Sequence, residues 1–257
     1  MKLASLSRSF LRPAVLAVAL AASGCASAPG AGDADAVVSD PLEVPNRFVF
    51  AANEAADVLL IRPAAEIYVG LVPDPVRQAV HNVIQNLLGP LHIANNLLQG
   101  DFEGAQVATG RFMTNTILGL GGLADVAAEV GLNEQQEDFG QTLAVWGVGP
   151  GPYIVLPLLG PSNLRDTVGY GVDALADPLR IWAQGNDQDA LLYGRAGTTV
   201  IDRRSQLLTE IDDLRRNSLD FYATLRSLYG QQRAAAIRDN AAVETPEFPD
   251  FDESPKP

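Results

Sequence analysis

The 257-residue chain has one cysteine and two histidines. A lone thiol, Cys25, has no disulfide partner and belongs to no metal-ligand cluster. His81 and His92 stand outside any HExxH or comparable spacing, and no GxSxG nucleophile elbow occurs. The clusters GLGG and GVGPG lack the Lys-Ser/Thr ending of a phosphate loop. Acidic residues are plentiful, but no pair is set apart as acid and base. The chain is therefore expected to have no catalytic residue, no metal and no cofactor.

Positive charge is also scarce. The formal net charge is −13. Nucleic acid and anionic surfaces are poor partners for such a chain, so any membrane contact must come from apolar surface or attached lipid. Nor is there an apolar run of membrane-spanning length. The longest early one, Ala14 to Ala22, is about half of the ~20 residues that a transmembrane helix needs.

That short run has a different meaning in context. Lys2, Arg8 and Arg12 precede it and Ser23-Gly24-Cys25 follows. A positive start, an apolar stretch and small residues at a cut make a signal peptide over residues 1–24. Cys25, just past the cut, is where a thioether-linked diacylglycerol attaches in bacterial lipoproteins. The alternative is an ordinary secreted protein with a spare thiol. One acyl chain anchors only marginally, whereas two or three on one cysteine hold nearly permanently. Ala26, rather than Asp, follows the cysteine, which by sorting convention favours the outer membrane.

Residues 25–40 are small and non-periodic, the composition of a flexible tether. Residues 241–257 carry five acids and four prolines and are expected to be a disordered tail. Residues 41–240 between them form one domain that is all-α in pattern. Helices are expected over 45–60, 63–71, 75–88 and 91–98, the last two broken or kinked at Gly89-Pro90. Asp101 is placed to cap a helix reaching Leu118. A Gly-rich break at 119–122 precedes helices over 123–130 and 139–146. A short strand is expected within 154–158, then a helix over 163–175 and two long helices over 187–240 with a break near Asn217-Ser218.

Charge is unevenly spread over this map. From Pro63 to Arg180 there are 16 charged residues in 118, and from Asp187 to Asn240 16 in 54. The helix from Pro75 to Gly100 has a polar face of uncharged amides, Asn82, Gln85 and Asn86 among them. Such a face suits a narrow polar passage or a headgroup zone, and equally a core helix in a large all-α domain. The 26 residues from Phe139 to Leu164 contain no charge and are too broken by Gly and Pro to span a bilayer as a helix. Gly147, Gly149 and Gly151 alternate around Pro150 and Pro152, which fits a hinged loop or a static one with demanding turns.

Long blocks in order carry a resemblance: DPLEVPNRFVF at 40–50, YVGLVPDPVRQAVHN at 68–82, LLQGDFEGA at 97–105, TGRFMTNTILGLGGLADVA at 109–127 and EDFGQTLAVWGVGPGPYIVLPLLGPSNLRD at 137–166. Together they resemble the MlaA (VacJ) family of outer-membrane lipoproteins. The resemblance implies a ring-shaped arrangement of amphipathic helices lying in one membrane leaflet beside a trimeric porin. It implies a passage that takes mislocalised phospholipids from the outer leaflet and hands them to a periplasmic carrier, with no covalent chemistry. The hairpin gate then falls on Gly147, Gly149, Pro150, Gly151, Pro152 and Tyr153. The ring and passage candidates are Asn46, Phe48, Asn82, Asn86, Arg111 and Asn115. Residues 181–208 and the acidic tail do not align. A non-transporting scaffold lipoprotein of the envelope is the alternative function.

Overall fold

A computed structural model describes residues 38–238. The first helix, α1 (Glu43–Ala56), runs through a wider π-helical turn (Asp57–Ile61) directly into α2 (Arg62–Leu71). The sequence pattern reads this as two separate helices because of Pro63. A proline in a continuous helix cannot donate to a preceding carbonyl and its ring crowds the turn before it. The π turn lies immediately ahead of Pro63 and makes room there.

The next helix, α3 (Asp74–Gln99), is unbroken at Gly89-Pro90. Its partner α4 (Phe102–Ile117) covers that point: a Cβ on Gly89 would come within 2.8 Å of the Phe112 ring. Tertiary packing thus outweighs the local cost of the proline. The turn between the two helices follows its sequence signals. Gly100 takes a left-handed conformation, φ 82°, and the Asp101 carboxylate accepts from Gly104 N at 2.9 Å.

The Gly-rich break leads to a single-turn helix, α5 (Val126–Glu129), and then to α6 (Phe139–Val145). Strands β1 (Tyr153–Leu156) and β2 (Gly160–Asn163) pair antiparallel, Tyr153 opposite Asn163 and Leu156 opposite Gly160. Helix α7 (Leu164–Ala176) starts where expected, with Asn163 accepting from Asp166 N at 2.8 Å. Three of the remaining helices are α8 (Pro178–Gly185), α9 (Asp189–Gln206) and α10 (Leu208–Asn217), followed by α11 (Phe221–Arg238). The expected pair of long helices over 187–240 is therefore three, because the chain also turns at Leu207. Helix α8 escaped the pattern altogether.

These elements close on themselves. Helix α1 packs on β1, β2 on α7, α7 on α8 and α8 on α9; α9 returns to the π turn and α2. Helix α3 lies along α9 and α6, and α4 packs outside α3. The fold is a helical ring with one hairpin in its circuit. Its largest buried apolar cluster is thin, Tyr153, Val155 and Tyr222, with Val38, Phe50 and Tyr229 packed around them. Many large apolar side chains face outward instead, Phe48, Leu71 and Leu120 each being more than three-quarters exposed. Among the described residues no helix is long and apolar enough to cross a membrane.

The domain begins earlier than expected. Val38 packs against the core cluster. The Asp40 carboxylate is buried, accepting from Asn46 Nδ2 at 2.8 Å, from Arg226 at 3.2 Å and from the Tyr222 hydroxyl. The signal peptide, Cys25, most of the tether and the acidic tail lie outside the described residues.

Two asparagines of α1 join it to the hairpin. Asn46 donates to Tyr153 O at 3.0 Å and accepts from Val155 N at 3.0 Å. Asn53, two turns further along, donates to Leu156 O and accepts from Leu158 N, both at 2.8 Å. Two helical turns rise about 10.5 Å, and three strand residues about 10 Å, so the two amides meet β1 in step. They take the place of a missing third strand. Replacing Asn46 with Ala leaves two buried backbone groups without partners, and we expect a loss of about 2–5 kcal/mol in urea unfolding of the purified domain. Unchanged stability would contradict the role given to this amide.

Candidate functional site

The ring encloses an open cavity of about 890 Å³. Its wall is made by α1, the π turn, the hairpin from Leu158 to Pro161, α7, α8 and α9, with α3 supplying Ile84, Leu88 and Leu91. Leu158 and Leu159, at the hairpin tip, also face it. Tyr170, Leu192, Val200 and Leu207 extend the apolar surface. On α9 the cavity-facing positions are 189, 192, 193, 195, 196, 199, 200, 203 and 204, which recur at helical spacing and turn one face of the helix inward.

Charge within the wall is mostly paired. Asp57, in the π turn, accepts from Arg204 Nε at 2.7 Å and from Arg215 Nη2 at 3.2 Å. Burial opposes ionisation of Asp57, but these guanidinium bonds more than offset it and hold the carboxyl below the ordinary value. Asp212 joins the cluster through Arg62 at 2.8 Å and Arg204 at 3.6 Å. These bonds tie α10 and α9 to the junction of α1 and α2. Asp177 and Arg195 form a second pair between α8 and α9. Asp173, on α7, accepts from Asn95 Nδ2 at 3.0 Å and Phe139 N at 2.8 Å. Burial raises its pKa, and those two bonds only partly counter the effect.

A different network closes the ring beneath the hairpin. Arg233 of α11 reaches Asp138, the cap of α6, at 2.6 Å and Asp166 of α7 at 2.8 Å. The Tyr229 hydroxyl donates to Asp166 at 2.5 Å. Burial alone would raise the Asp166 pKa; Arg165, Arg233 and Tyr229 reverse that and lower it.

None of the six ring and passage candidates from the sequence lines the large cavity. Asn46 holds the hairpin from its outer edge, and Phe48 points outward, 77% exposed. The other four meet in a narrow cleft of about 70 Å³ between α3 and α4, too small for a lipid. There Asn82 donates to Leu123 O at 3.3 Å and Asn86 to Thr116 Oγ1 at 3.0 Å. Asn115 bridges Asp125 at 2.9 Å and Ala127 N at 2.9 Å, and Arg111 holds Asp125 at 2.8 Å and the carbonyl of Leu132. The uncharged amides thus pin the Gly-rich turn, where Leu120, Gly121 and Gly122 all have positive φ. The N–H groups of Gly121 and Gly122 reach carbonyls of α4, and the amides of Asn86 and Asn82 take the exposed carbonyls of Gly121 and Leu123.

The glycine-proline segment also sits elsewhere than expected. Gly147, φ 88°, is the cap of α6, donating to Ala144 O at 2.9 Å. Pro150 and Pro152 carbonyls accept from Arg165 N at 3.2 Å and Leu164 N at 3.1 Å. A Cβ on Gly151 would come within 3.0 Å of Leu164, while Gly149 has open space around it. Tyr153 is fully buried. These residues form a fitted connector from α6 into β1. The part of the hairpin that reaches the cavity is its tip and the start of β2, with Leu158 in a left-handed conformation of φ 61° that only its surroundings sustain.

With this geometry in view, comparison with known proteins is decisive. The family model described as MlaA lipoprotein matches residues 38–236. The chain belongs to the MlaA lipoprotein family. The intermembrane phospholipid transport system lipoprotein MlaA of Escherichia coli is 37% identical over 213 residues, 81% of each chain. An uncharacterised protein of Rickettsia bellii is 38% identical over 202 residues, 78% of each chain. A chain solved in work on the structural basis for maintenance of bacterial outer membrane lipid asymmetry superposes with a TM-score of 0.67 at 35% identity, covering 77% of this chain and 99% of that one. MlaA membership accounts for the ring and the hairpin together. Sequence reasoning missed Asn53, the hairpin tip and the arginines of α8 to α10; the inward stripe on α9 was the one available signal.

Acid should loosen this arrangement. Asp57, Asp125 and Asp166 are all held below the ordinary aspartate pKa by their hydrogen-bonding and charged partners. A carboxylate with a depressed folded-state pKa stabilises the fold above its unfolded pKa and loses that effect as pH falls. Asp173, raised, acts in the opposite sense but stands alone. We expect Tm, followed by circular dichroism, to hold from pH 7 to 5 and to fall below about pH 4. A Tm constant down to pH 3 would show that these carboxylates do not carry the ring.

Proposed function

We propose that this lipoprotein provides a passage for phospholipids. Lipid misplaced in the outer leaflet of the outer membrane enters the ring and leaves toward a periplasmic carrier, which maintains lipid asymmetry. The observation that carries this reading is the open, mainly apolar cavity of about 890 Å³ inside a closed helical circuit. Its size and its mixture of leucines and paired arginines suit an amphipathic molecule passing tail and headgroup through different surroundings. The names borne by relatives support the same role, as intermembrane phospholipid transport lipoproteins. The passage needs no covalent step, and the reading includes none.

The outward apolar side chains fit a ring lying in the inner leaflet. Val44, Phe48, Leu59, Leu60, Ile67 and Leu71 on α1, the π turn and α2 are all more than half exposed. Water around such a surface is costly, and lipid tails or a flat porin wall would cover it. Cys25 supplies a covalent lipid anchor on the periplasmic side. The gate is placed at the hairpin tip, Leu158 and Leu159, held from α1 by Asn53, in preference to the glycine-proline connector behind it.

Deleting the protein should raise phospholipid in the outer leaflet, measured by labelling exposed phosphatidylethanolamine on intact cells or by lipid A palmitoylation. A deletion strain with unchanged outer-leaflet lipid would remove the basis for this function and leave an envelope scaffold. A second measurement concerns the ring itself. Exported Cys25→Ala protein should stay partly in the membrane fraction after a salt wash; complete release into the periplasm would mean that the acyl chains are the sole attachment.

A further inference from the structure

The wall made by α7, α8 and α9 holds more positive charge than its pairing uses. Asp177, almost fully buried, caps α8: Oδ1 accepts from Leu179 N at 3.0 Å, and Oδ2 accepts from Arg195 Nη2. The other terminal nitrogen of Arg195, Nη1, is sealed from solvent and has no acceptor. Arg180, in the first turn of α8, donates Nη1 to Ala174 O at 3.1 Å and pairs with no carboxylate among the described residues. Ala174, Asp177, Arg180 and Arg195 all line the large cavity.

Of these two guanidiniums, only Arg195 has a carboxylate partner among the described residues. The next carboxylate along the wall, Asp173, is already taken up by Asn95 and Phe139 N. Asp189 stands in the first turn of α9, about 9 Å of helix rise from Arg195. The wall thus has unused guanidinium capacity: Arg180 without a carboxylate partner among the described residues, and an enclosed Arg195 donor without an acceptor. An acceptor with several oxygens and negative charge would satisfy it, and the planar fork of arginine matches phosphate in this way.

We infer that Arg180 and Arg195 form a phosphate-binding station in the cavity wall, which holds the phosphodiester of a glycerophospholipid while its acyl chains lie on the apolar wall. The inference rests on the passage reading and adds what the passage selects. Phosphate is common to all glycerophospholipids, so the station admits different headgroups and discriminates against neutral diacylglycerol. Arg195 is occupied on one side by Asp177, which fixes its orientation; Arg180 brings the unpaired charge.

The test uses full-length lipidated protein in detergent micelles with two probes of matched chains, dioleoyl phosphatidylglycerol and dioleoylglycerol. The unaltered protein should retain the phospholipid at least roughly tenfold better, the scale of one charge-assisted hydrogen bond. Arg180→Gln, which leaves the Asp177–Arg195 pair intact, should cut that preference to about twofold with diacylglycerol retention unchanged. Arg180→Lys should keep most of it, which separates lost charge from lost fold. An undiminished preference in Arg180→Gln overturns the station, as does its loss in Arg203→Gln alone, another cation of the same cavity. A thermal shift with inorganic phosphate but no retained lipid would mean a free-anion site and overturn the lipid assignment. Unaltered protein that retains both probes equally refutes the station while leaving the passage standing; retention of neither sinks both.

Discussion

The hairpin is held to the rest of the ring by two side-chain amides, and the architecture depends on them. A two-stranded hairpin is barely stable alone, and its free edge offers unpaired backbone groups. Asn46 and Asn53 cover that edge from α1 at strand-like spacing. Pro161 stands opposite Val155, whose N–H goes to Asn46, so the missing N–H of the proline takes nothing from the pairing. With β1 fixed to α1 and β2 leading directly into α7, the hairpin becomes a rigid segment of the circuit. Its tip, Leu158 and Leu159, and the start of β2, Gly160 and Pro161, line the cavity.

A ring around a cavity cannot rely on a thick core. Its apolar residues divide between an outer surface and an inner wall, and its buried aromatic cluster is confined to where α11 crosses the hairpin. Directional contacts make up the difference. Arg204, Arg215 and Arg62 join the π turn, α2, α9 and α10 through Asp57 and Asp212, and Arg233 joins α11 to α6 and α7. Removing one member of such a cluster leaves an uncompensated buried charge, which destabilises more than the intact cluster stabilises. The charges therefore specify which helices meet, while aromatic contacts such as Phe50 with Tyr222, centroids 5.3 Å apart, fill the joint.

Local signals in the sequence translated well. The Asp101 cap, the helix starts at Asp138-Phe139 and Asn163-Leu164, the Gly100 stop and the break at Asn217-Ser218 stand at or next to the ends inferred from residue types. What residue types left open was which way each face points. The amides of α3 suit a passage lining by composition, yet they face α4 and the glycine turn. An amide that satisfies stray backbone groups and one that lines a passage have the same residue type and the same helical spacing. Gly147 to Pro152 likewise has a hinge composition, but its hydrogen bonds run to α6 and α7 and were not visible without the fold. Pro90 shows the same limit from the other side: a local rule was overridden by one phenylalanine from another helix.

The inward stripe of α9 resolves the uneven charge that the sequence displays. Residues after Asp187 are twice as densely charged as those before, which reads as an ordinary water-facing pair of helices. In the ring, part of that charge turns inward. Arg195, Arg203 and Arg204 lie on the cavity side with Asp202 buried against His81 at 2.9 Å. On the opposite side of the circuit Val44 and Phe48 of α1, Leu59 and Leu60 of the π turn and Leu71 of α2 turn outward instead. The molecule thus reverses the usual order of apolar inside and charged outside over much of its circumference. Such an arrangement costs stability in water, since the outer leucines stay wet and the inner charges lose solvent. It becomes favourable where the surroundings are apolar and the cavity holds a ligand with a charged end, and lipid satisfies both conditions at once.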